Sequence, residues 1–192
     1  YKWIPSERVC MTAALFLEGD DVELRTIETE DVDFFHEMLN DPDVRRGIAV
    51  VDPVTRTNER EWAEARGEGD DVNFAIYYDD EPVGTIGLKP PNAVTGAAEV
   101  GYIVAPTHWG NGFATDALQT LCRYAFDERG LNKVYASVYE TNPASTRVVE
   151  NAGFTREGVH REEGFVDGKH VDVFRYGLLA DEWRNESAKT DA

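Results

Sequence analysis

The sequence predicts a single mixed α/β (α+β) domain, because two different patterns of apolar residues follow each other along the chain. The first half contains short runs of β-branched and aromatic residues separated by turn residues, which is typical of an antiparallel meander. The second half alternates helical and strand patterns, as a βαβ unit does. With 192 residues, 42% of them hydrophobic, the chain is long enough to bury one core of this kind.

Five strands and two helices are expected in the first half. The strands are residues 15–17, 22–26, 73–78, 82–88 and 98–104, and the helices are one whose apolar stripe runs from Val32 to Leu39 and a weaker one at 58–66. Thr29 is expected to cap the first helix, and Asp41 with Pro42 to end it. Because the first two strands flank a turn at Gly19, they form either a hairpin or one bent strand.

Two helices, one strand and a closing hairpin are expected in the second half. In chain order they are a helix at 114–126, a strand at 133–139, a helix at 143–152 and hairpin strands at 158–161 and 171–179. Gly130 and Gly153 end the two helices, and Asn142 caps the second one. The domain is expected to span residues 15–184, between an irregular leader at 1–14 and a polar tail at 185–192.

The chain is strongly acidic, and its charge excludes several classes of partner. Asp and Glu number 37 against 19 Lys and Arg, which gives a net charge of −18. Such a field repels nucleic acids and anionic membranes, so we expect neither to bind. The acidic residues are spread along the chain, which favours a solvated acidic coat over an acidic interaction module. A surface rich in acids and poor in lysine resembles those of cytosolic proteins from salt-loving organisms.

Neither a membrane protein nor a metalloprotein is expected. No apolar run approaches the ~18 residues that a membrane span needs, and no secretory leader pattern is visible. The two cysteines, Cys10 and Cys122, are too few for a disulfide framework, and the four histidines lack the spacing of metal ligands. We therefore expect a cytoplasmic protein without a bound metal.

The most informative stretch is the turn after the strand at 98–104. It contains Gly110 and Gly112 and leads directly into a helix. Glycines let backbone N–H groups approach a ligand, and the first amides of a helix have no internal partner. Phosphate oxygens satisfy these amides, although a tight turn without a ligand is the alternative interpretation. A nucleotide P-loop and a dinucleotide loop fit poorly, because neither Lys-Ser/Thr nor a correctly spaced third glycine follows.

Three stretches resemble the GNAT N-acetyltransferase superfamily. Trp109-Gly-Asn-Gly-Phe-Ala114 is similar to its acetyl-CoA pyrophosphate loop, Gln/Arg-x-x-Gly-x-Gly/Ala, with Trp as a departure at the first position. That Trp, Glu99-Val-Gly-Tyr102 and Asn142-Pro-Ala-Ser145 are similar to the ribosomal-protein N-acetyltransferase branch. The resemblance implies acetyl-CoA as cosubstrate and a mostly antiparallel mixed sheet with helices on both faces. It also implies a splay between the fourth and fifth strands, 98–104 and 133–139, when the first hairpin counts as one strand.

The resemblance further implies that two neighbouring parts of the chain bind acetyl-CoA. The amides of residues 110–115 would hold the diphosphate, and the strand backbone at Ile103 and Val104 would pair with pantetheine. Asn142 would contact the cofactor or act only as a helix cap. The predicted cofactor-binding residues are Ile103, Val104, Trp109, Gly110, Asn111, Gly112, Phe113, Ala114, Thr115 and Asn142.

Two residues are predicted to perform the acid–base chemistry of amine acetylation. A carboxylate can take a proton from the acceptor amine, and Glu99 is the first candidate, with Glu140 as its competitor. Ser145 is the candidate acid that protonates the leaving thiolate, and Tyr139 could replace it. A second capping hydroxyl in the first helical turn is the alternative role of Ser145.

The acceptor is expected to enter between the loop at 41–53 and a hairpin loop at 158–169. The acids and aromatic residues there are Asp41, Asp43, Glu162, Glu163, Trp62 and Phe165. The leading interpretation is direct acetyl transfer to a primary amine at a peptide or protein N-terminus, by a monomer or homodimer. A small-molecule amine is the alternative acceptor, and a non-catalytic acyl-CoA-binding module is the alternative class of protein.

Overall fold

The computed structural model describes residues 13–65 and 69–190, with side chains up to residue 185. Eight strands form one mixed sheet in the order β1-β2-β3-β4-β5-β6-β8-β7. They are β1 Leu15–Glu18, β2 Glu23–Arg25, β3 Val72–Tyr78, β4 Glu81–Leu88, β5 Ala97–Val104, β6 Lys133–Tyr139, β7 Thr155–Val166 and β8 Lys169–Leu179. Most of the predicted leader lies outside the described residues, so the domain boundaries stay predictions.

Helices cover both faces of the sheet, as expected. They are α1 Val32–Asn40, α2 Pro42–Ile48, α3 Arg56–Glu64, α4 Phe113–Arg123, α5 Pro143–Asn151 and α6 Ala180–Thr190. Alternate residues of β3 separate two apolar cores: Phe74 and Ile76 pack with α4, whereas Ala75 and Tyr77 pack with α1 and α3. Among the described residues, no helix is long and apolar enough to span a membrane.

The predicted splay lies between β5 and β6. These strands are parallel, and Ala97, Ala98 and Glu99 pair with residues 133–135. Beyond Glu99 the two strands, which are both described in full, make no further pairs. The connection from β5 through α4 to β6 forms the expected βαβ unit.

Asp41 ends α1, as the sequence predicts, and it also caps a second helix, α2, which the sequence pattern does not predict. The Asp41 carboxylate accepts hydrogen bonds from the Asp43 and Val44 amides at 2.8 and 3.2 Å. Pro42 occupies the first helical position, where its missing N–H is not needed. The expected cap Thr29 is wrong, since Thr29 begins a 3₁₀ turn that precedes α1.

The C-terminal third also differs from the sequence-based expectation. Strand β7 extends to Val166 and joins β8 through Asp167 and Gly168, so the expected hairpin loop at 158–169 is mostly strand. Strand β7 lies at the edge of the sheet, and because most of its side chains are exposed and polar, the sequence pattern does not indicate a strand there. Residues 185–190 of the expected tail continue helix α6, and the amide of Leu179, which directly precedes this helix, donates to the Glu182 Oε2 at 2.9 Å.

Asp116 joins the first turn of α4 to the β1–β2 turn. Its carboxylate accepts hydrogen bonds from the amides of Asp20, Asp21 and Val22 at 3.0, 2.7 and 2.8 Å. A Cβ atom at Gly19 would lie 2.8 Å from the Asp116 Oδ1 atom, so the close approach requires glycine. One carboxylate therefore anchors the outer hairpin to the helix that begins at the glycine turn.

We expect Asp116→Ala to lower the free energy of unfolding by about 2 kcal/mol, because three amides lose a charged acceptor. Asp127→Ala changes an exposed acid in the π-helical turn that follows α4 and serves as the control. Urea unfolding at neutral pH measures both. Equal stability of the two variants would contradict the anchoring role of Asp116.

Candidate active site

The glycine turn leaves a row of backbone amides without acceptors. Gly110 and Gly112 have φ angles of 81° and 87°, in the left-handed region that glycine adopts without strain. Among the described residues, the amides of 110–114 donate to no protein atom, whereas the Thr115 amide donates to the Gly112 carbonyl at 2.9 Å. Five free amides therefore lie at the N-terminus of α4, and Thr115 does not extend the row. This arrangement favours an anion.

Side chains hold the turn open rather than filling it. The Trp109 Nε1–H donates to the Val104 carbonyl at 2.6 Å, and the Asn111 Nδ2 donates to the His108 carbonyl at 3.1 Å. Phe113 is buried and its ring lies 4.5 Å from that of Tyr78. A Cβ atom built at either turn glycine would meet no atom within 4 Å, so the space above the free amides is open.

The edge of β5 continues this polar row into the splay. Hydrogen bonds from Ala105 to Val83 and from Lys89 to Glu99 show that odd-numbered residues of β5 direct their backbone groups toward β4. Even-numbered residues therefore direct their backbone groups toward β6, which no longer pairs with β5 beyond Glu99. The free groups belong to Tyr102 and Val104, apart from the Val104 carbonyl that Trp109 occupies. Ile103, which was predicted to offer backbone groups, instead pairs with Thr85.

Glu99 lies at the closed end of the splay, with both carboxylate oxygens engaged. Its Oε2 accepts from the Lys89 Nζ and its Oε1 from the Ser137 hydroxyl, each at 2.7 Å. Burial raises the pKa of Glu99, but the bonds to Lys89 and Ser137 and the nearby charges outweigh burial and hold it below its ordinary value. A carboxylate of this kind ties β5 to β6 where their pairing ends, and it is poorly prepared to act as a base.

Ser145 lies in the first turn of α5, where it meets a residue that the sequence did not single out. The Tyr102 hydroxyl lies 2.7 Å from the Ser145 Oγ and 3.2 Å from the Ser145 carbonyl oxygen. Burial raises the pKa of Tyr102 to about 12, although the bond to Ser145 lowers it. The alternation of side chains along β5 places Tyr102 on the opposite face from Glu99. This is the face that packs against α4 and α5, so the alternation could have indicated a phenol near Ser145.

The other predicted residues near α5 have structural contacts. The Asn142 Oδ1 accepts the Ser145 amide at 3.0 Å, and its Nδ2 donates to the Gly47 carbonyl at 3.1 Å, so this cap also joins α5 to α2. Glu140, the competing base, is exposed and accepts the Asp172 amide at 3.0 Å. Tyr139 packs beside Gly164, where a Cβ atom would lie 2.7 Å from its ring.

A cavity of about 510 Å³ lies on the face of β5 opposite to α4, between the sheet and helices α2 and α3. Ile48, Trp62 and Ile103 contribute apolar walls, and Gly101 forms part of the surface along β5. Asn73 lines it and donates to the Asp71 Oδ2 at 2.7 Å. The cavity therefore reaches β5 from the face that α4 does not cover.

The structure brings the two predicted acceptor segments together, and several of their charged side chains form ion pairs with other residues of the protein. The Arg46 Nε lies 3.1 Å from the Asp167 Oδ2, and its Nη1 lies 2.9 Å from the Asp43 Oδ1, so α2 meets the β7–β8 turn. Glu163 pairs with His160. Phe165 is half exposed with its ring 5.2 Å from that of His170, and of the two predicted aromatic walls Trp62 lines the cavity.

Comparisons with known proteins agree on one family. The family model described as an acetyltransferase (GNAT) domain matches residues 21–155. The candidate ribosomal N-acetyltransferase YdaF of Bacillus subtilis is 30% identical over 176 residues, covering 88% of this chain and 96% of that protein. Spermidine N(1)-acetyltransferase of Vibrio cholerae is 29% identical over 172 residues, covering 88% and 99%. The likeness to YdaF agrees with the branch that the motifs resemble.

A solved structure shares the fold over nearly its whole length. The crystal structure of spermidine N-acetyltransferase from Vibrio cholerae in complex with CoA and spermine superposes with a TM-score of 0.78 at 27% identity. The match covers 86% of this chain and 99% of that one.

We expect Glu99→Gln to lower the free energy of unfolding by about 1 kcal/mol at pH 7, because the partly exposed ion pair with Lys89 is lost. The folded pKa of Glu99 lies below its ordinary value of 4.5, so its stabilisation is complete above that pH. The stabilisation is lost as the pH falls through the folded pKa, where the two proteins converge. Urea unfolding at pH 7 and at pH 3 measures this difference, and a gap that persists unchanged at pH 3 would contradict it.

Proposed function

Because the chain belongs to the GNAT acetyltransferase family and is an N-acetyltransferase, we propose that it transfers the acetyl group of acetyl-CoA to the N-terminal amine of a peptide or protein. The observation that supports this most directly is the row of free amides at residues 110–114 beside an open splay. The neighbour that was solved with CoA supports the choice of cosubstrate.

The residues present fit acetyl-CoA. The amides of 110–114 are free to donate to its diphosphate, and the Tyr102 carbonyl and Val104 amide offer an acceptor and a donor to an extended amide chain. Gly101, Gly110 and Gly112 leave open the space where a Cβ atom would stand. When bound, acetyl-CoA supplies the activated acetyl thioester. Asn142 supports this site by fixing the start of α5 rather than by a contact that the structure displays.

Ser145 is the residue that we assign to proton transfer. Its hydroxyl gives a proton to the departing sulfur, so that the O–H bond breaks as an S–H bond forms. The serine oxygen then recovers the proton that the acceptor nitrogen loses on forming its amide bond, and the residue is unchanged after turnover. Since both oxygens of Glu99 are engaged, we assign Glu99 to holding β5 and β6 together.

The cavity on the α2–α3 face favours a peptide N-terminus over a polyamine. Among the described residues, its charged lining side chains are Asp71 and Lys89, of which Lys89 is paired with Glu99, so the lining contains one carboxylate, and Trp62 and Ile48 supply apolar surface. A polyamine brings several ammonium groups that each need a carboxylate or water, whereas a peptide brings one amine and an apolar side chain. A small polyamine is the second candidate, which the relationship to spermidine acetyltransferases supports.

Gly112→Glu is expected to raise the dissociation constant for coenzyme A by at least about tenfold, because a carboxylate would stand against the free amides. Gly130→Glu is the matched control: Gly130 also has a positive φ, of 64°, and open space around its Cβ direction, but it follows the far end of α4. Isothermal calorimetry measures both. Equal losses of affinity would remove the glycine turn from the proposed site.

A panel of amines tests the acceptor. Release of free thiol from acetyl-CoA is followed at high salt with a short peptide, the same peptide with a blocked N-terminus, and spermidine. We expect kcat/KM to be at least about tenfold higher for the free peptide than for spermidine, and no release with the blocked peptide. A preference for spermidine would support the second candidate. Thiol release that does not depend on an amine would contradict the transferase.

A further inference from the structure

The Tyr102–Ser145 pair joins one strand of the splay to the helix that follows the other strand. Tyr102 belongs to β5, and Ser145 belongs to the helix that follows β6. The phenol oxygen lies within hydrogen-bond distance of both oxygens of Ser145, at 2.7 Å from the Oγ and 3.2 Å from the carbonyl. Tyr102 has one proton to donate, so the direction of the shorter bond decides where the Ser145 proton points.

We propose that Tyr102 is a positioning residue whose phenol donates to the Ser145 Oγ and turns the serine O–H toward the opening between β5 and β6. This inference rests on the proposed function, since it concerns the proton that Ser145 gives to the departing sulfur. Tyr102 acts through Ser145 and itself transfers no proton.

Relative acidity supports this direction of the bond. A phenol is a stronger acid than an aliphatic hydroxyl and is therefore the better donor of the two. The single phenol proton of Tyr102, placed between the Ser145 Oγ and the Ser145 carbonyl oxygen, can be shared by both acceptors. The reverse bond would direct the serine proton to the phenol oxygen and leave none for the splay. Burial raises the pKa of Tyr102 to about 12, so the phenol keeps its proton at neutral pH.

The pair is not needed to hold α5 in place. The Asn142 side chain already accepts the Ser145 amide at 3.0 Å and donates to the Gly47 carbonyl at 3.1 Å, which anchors the first turn of the helix. A second phenol, that of Tyr176, donates to the Glu150 Oε1 near the other end of α5 at 3.1 Å. The helix therefore has anchors at both ends that do not involve Tyr102.

A double-mutant cycle tests the inference with acetyl-CoA and the best amine of the panel. We expect Tyr102→Phe to lower kcat about tenfold while the KM for acetyl-CoA changes less than twofold, and to have no further effect on kcat in a Ser145→Ala background. Tyr176→Phe removes a phenol that bonds to the same helix and is the control with unchanged kcat. Additive losses in the cycle, or a Tyr102→Phe enzyme as fast as wild type, would overturn the positioning role.

A fluorinated tyrosine at position 102 keeps the test valid if Tyr102→Phe does not fold. Fluorine lowers the pKa of the phenol and barely changes its shape, so the alkaline limb of kcat moves to lower pH if the phenol must donate. An alkaline limb that stays in place would overturn the inference. A wild-type enzyme inactive with every amine would overturn the proposed function and this inference together, whereas an active wild type with an unaffected variant overturns this inference alone.

Discussion

The early end of the β5–β6 pairing is the constraint on which the site depends. Backbone groups inside a sheet ordinarily find partners on both neighbouring strands, and unpaired groups are costly when buried. Here three residues of β5 pair with β6 and the strand then continues alone on that side, with the backbone of Tyr102 and Val104 turned toward the gap. Glu99 bonds to Ser137 at the last point of contact, which fixes where the opening begins. The glycine turn follows directly from the freed strand.

In the proposed reaction, strand β5 separates two substrate paths that lie on opposite faces of the sheet. On one face, Tyr102 and Ser145 place hydroxyl groups between β5 and α5. On the other face, α2 and α3 enclose the cavity that reaches β5 at Gly101. A thioester in the splay would therefore meet an amine from the cavity at the strand itself. This arrangement needs no side chain at Gly101, whose Cβ direction is empty.

Local patterns predicted the parts of this fold that depend on local physics. The glycine turn, the central strands and the splay followed from turn residues, apolar periodicity and the family resemblance. Helix α2 was missed because Asp41-Pro42 predicts the end of a helix, which it does form for α1, and only the carboxylate bonds to two amides show that the same residues also begin a second helix. Side-chain alternation gave the faces of β5 correctly. The choice of Ile103 came from the family resemblance alone, and the strand register instead directs the backbone groups of Tyr102 toward the gap.

The free amides also stand inside a strongly negative molecule, with a net charge of −18. Peptide dipoles act over a few ångströms, whereas the net charge acts over about a Debye length, roughly 8 Å at physiological ionic strength. At the proposed site, an anionic cosubstrate would thus be repelled at long range by the net charge and bound only at short range by the amides. Added salt shortens the repulsion more than it weakens the contacts, so encounter accelerates as ionic strength rises.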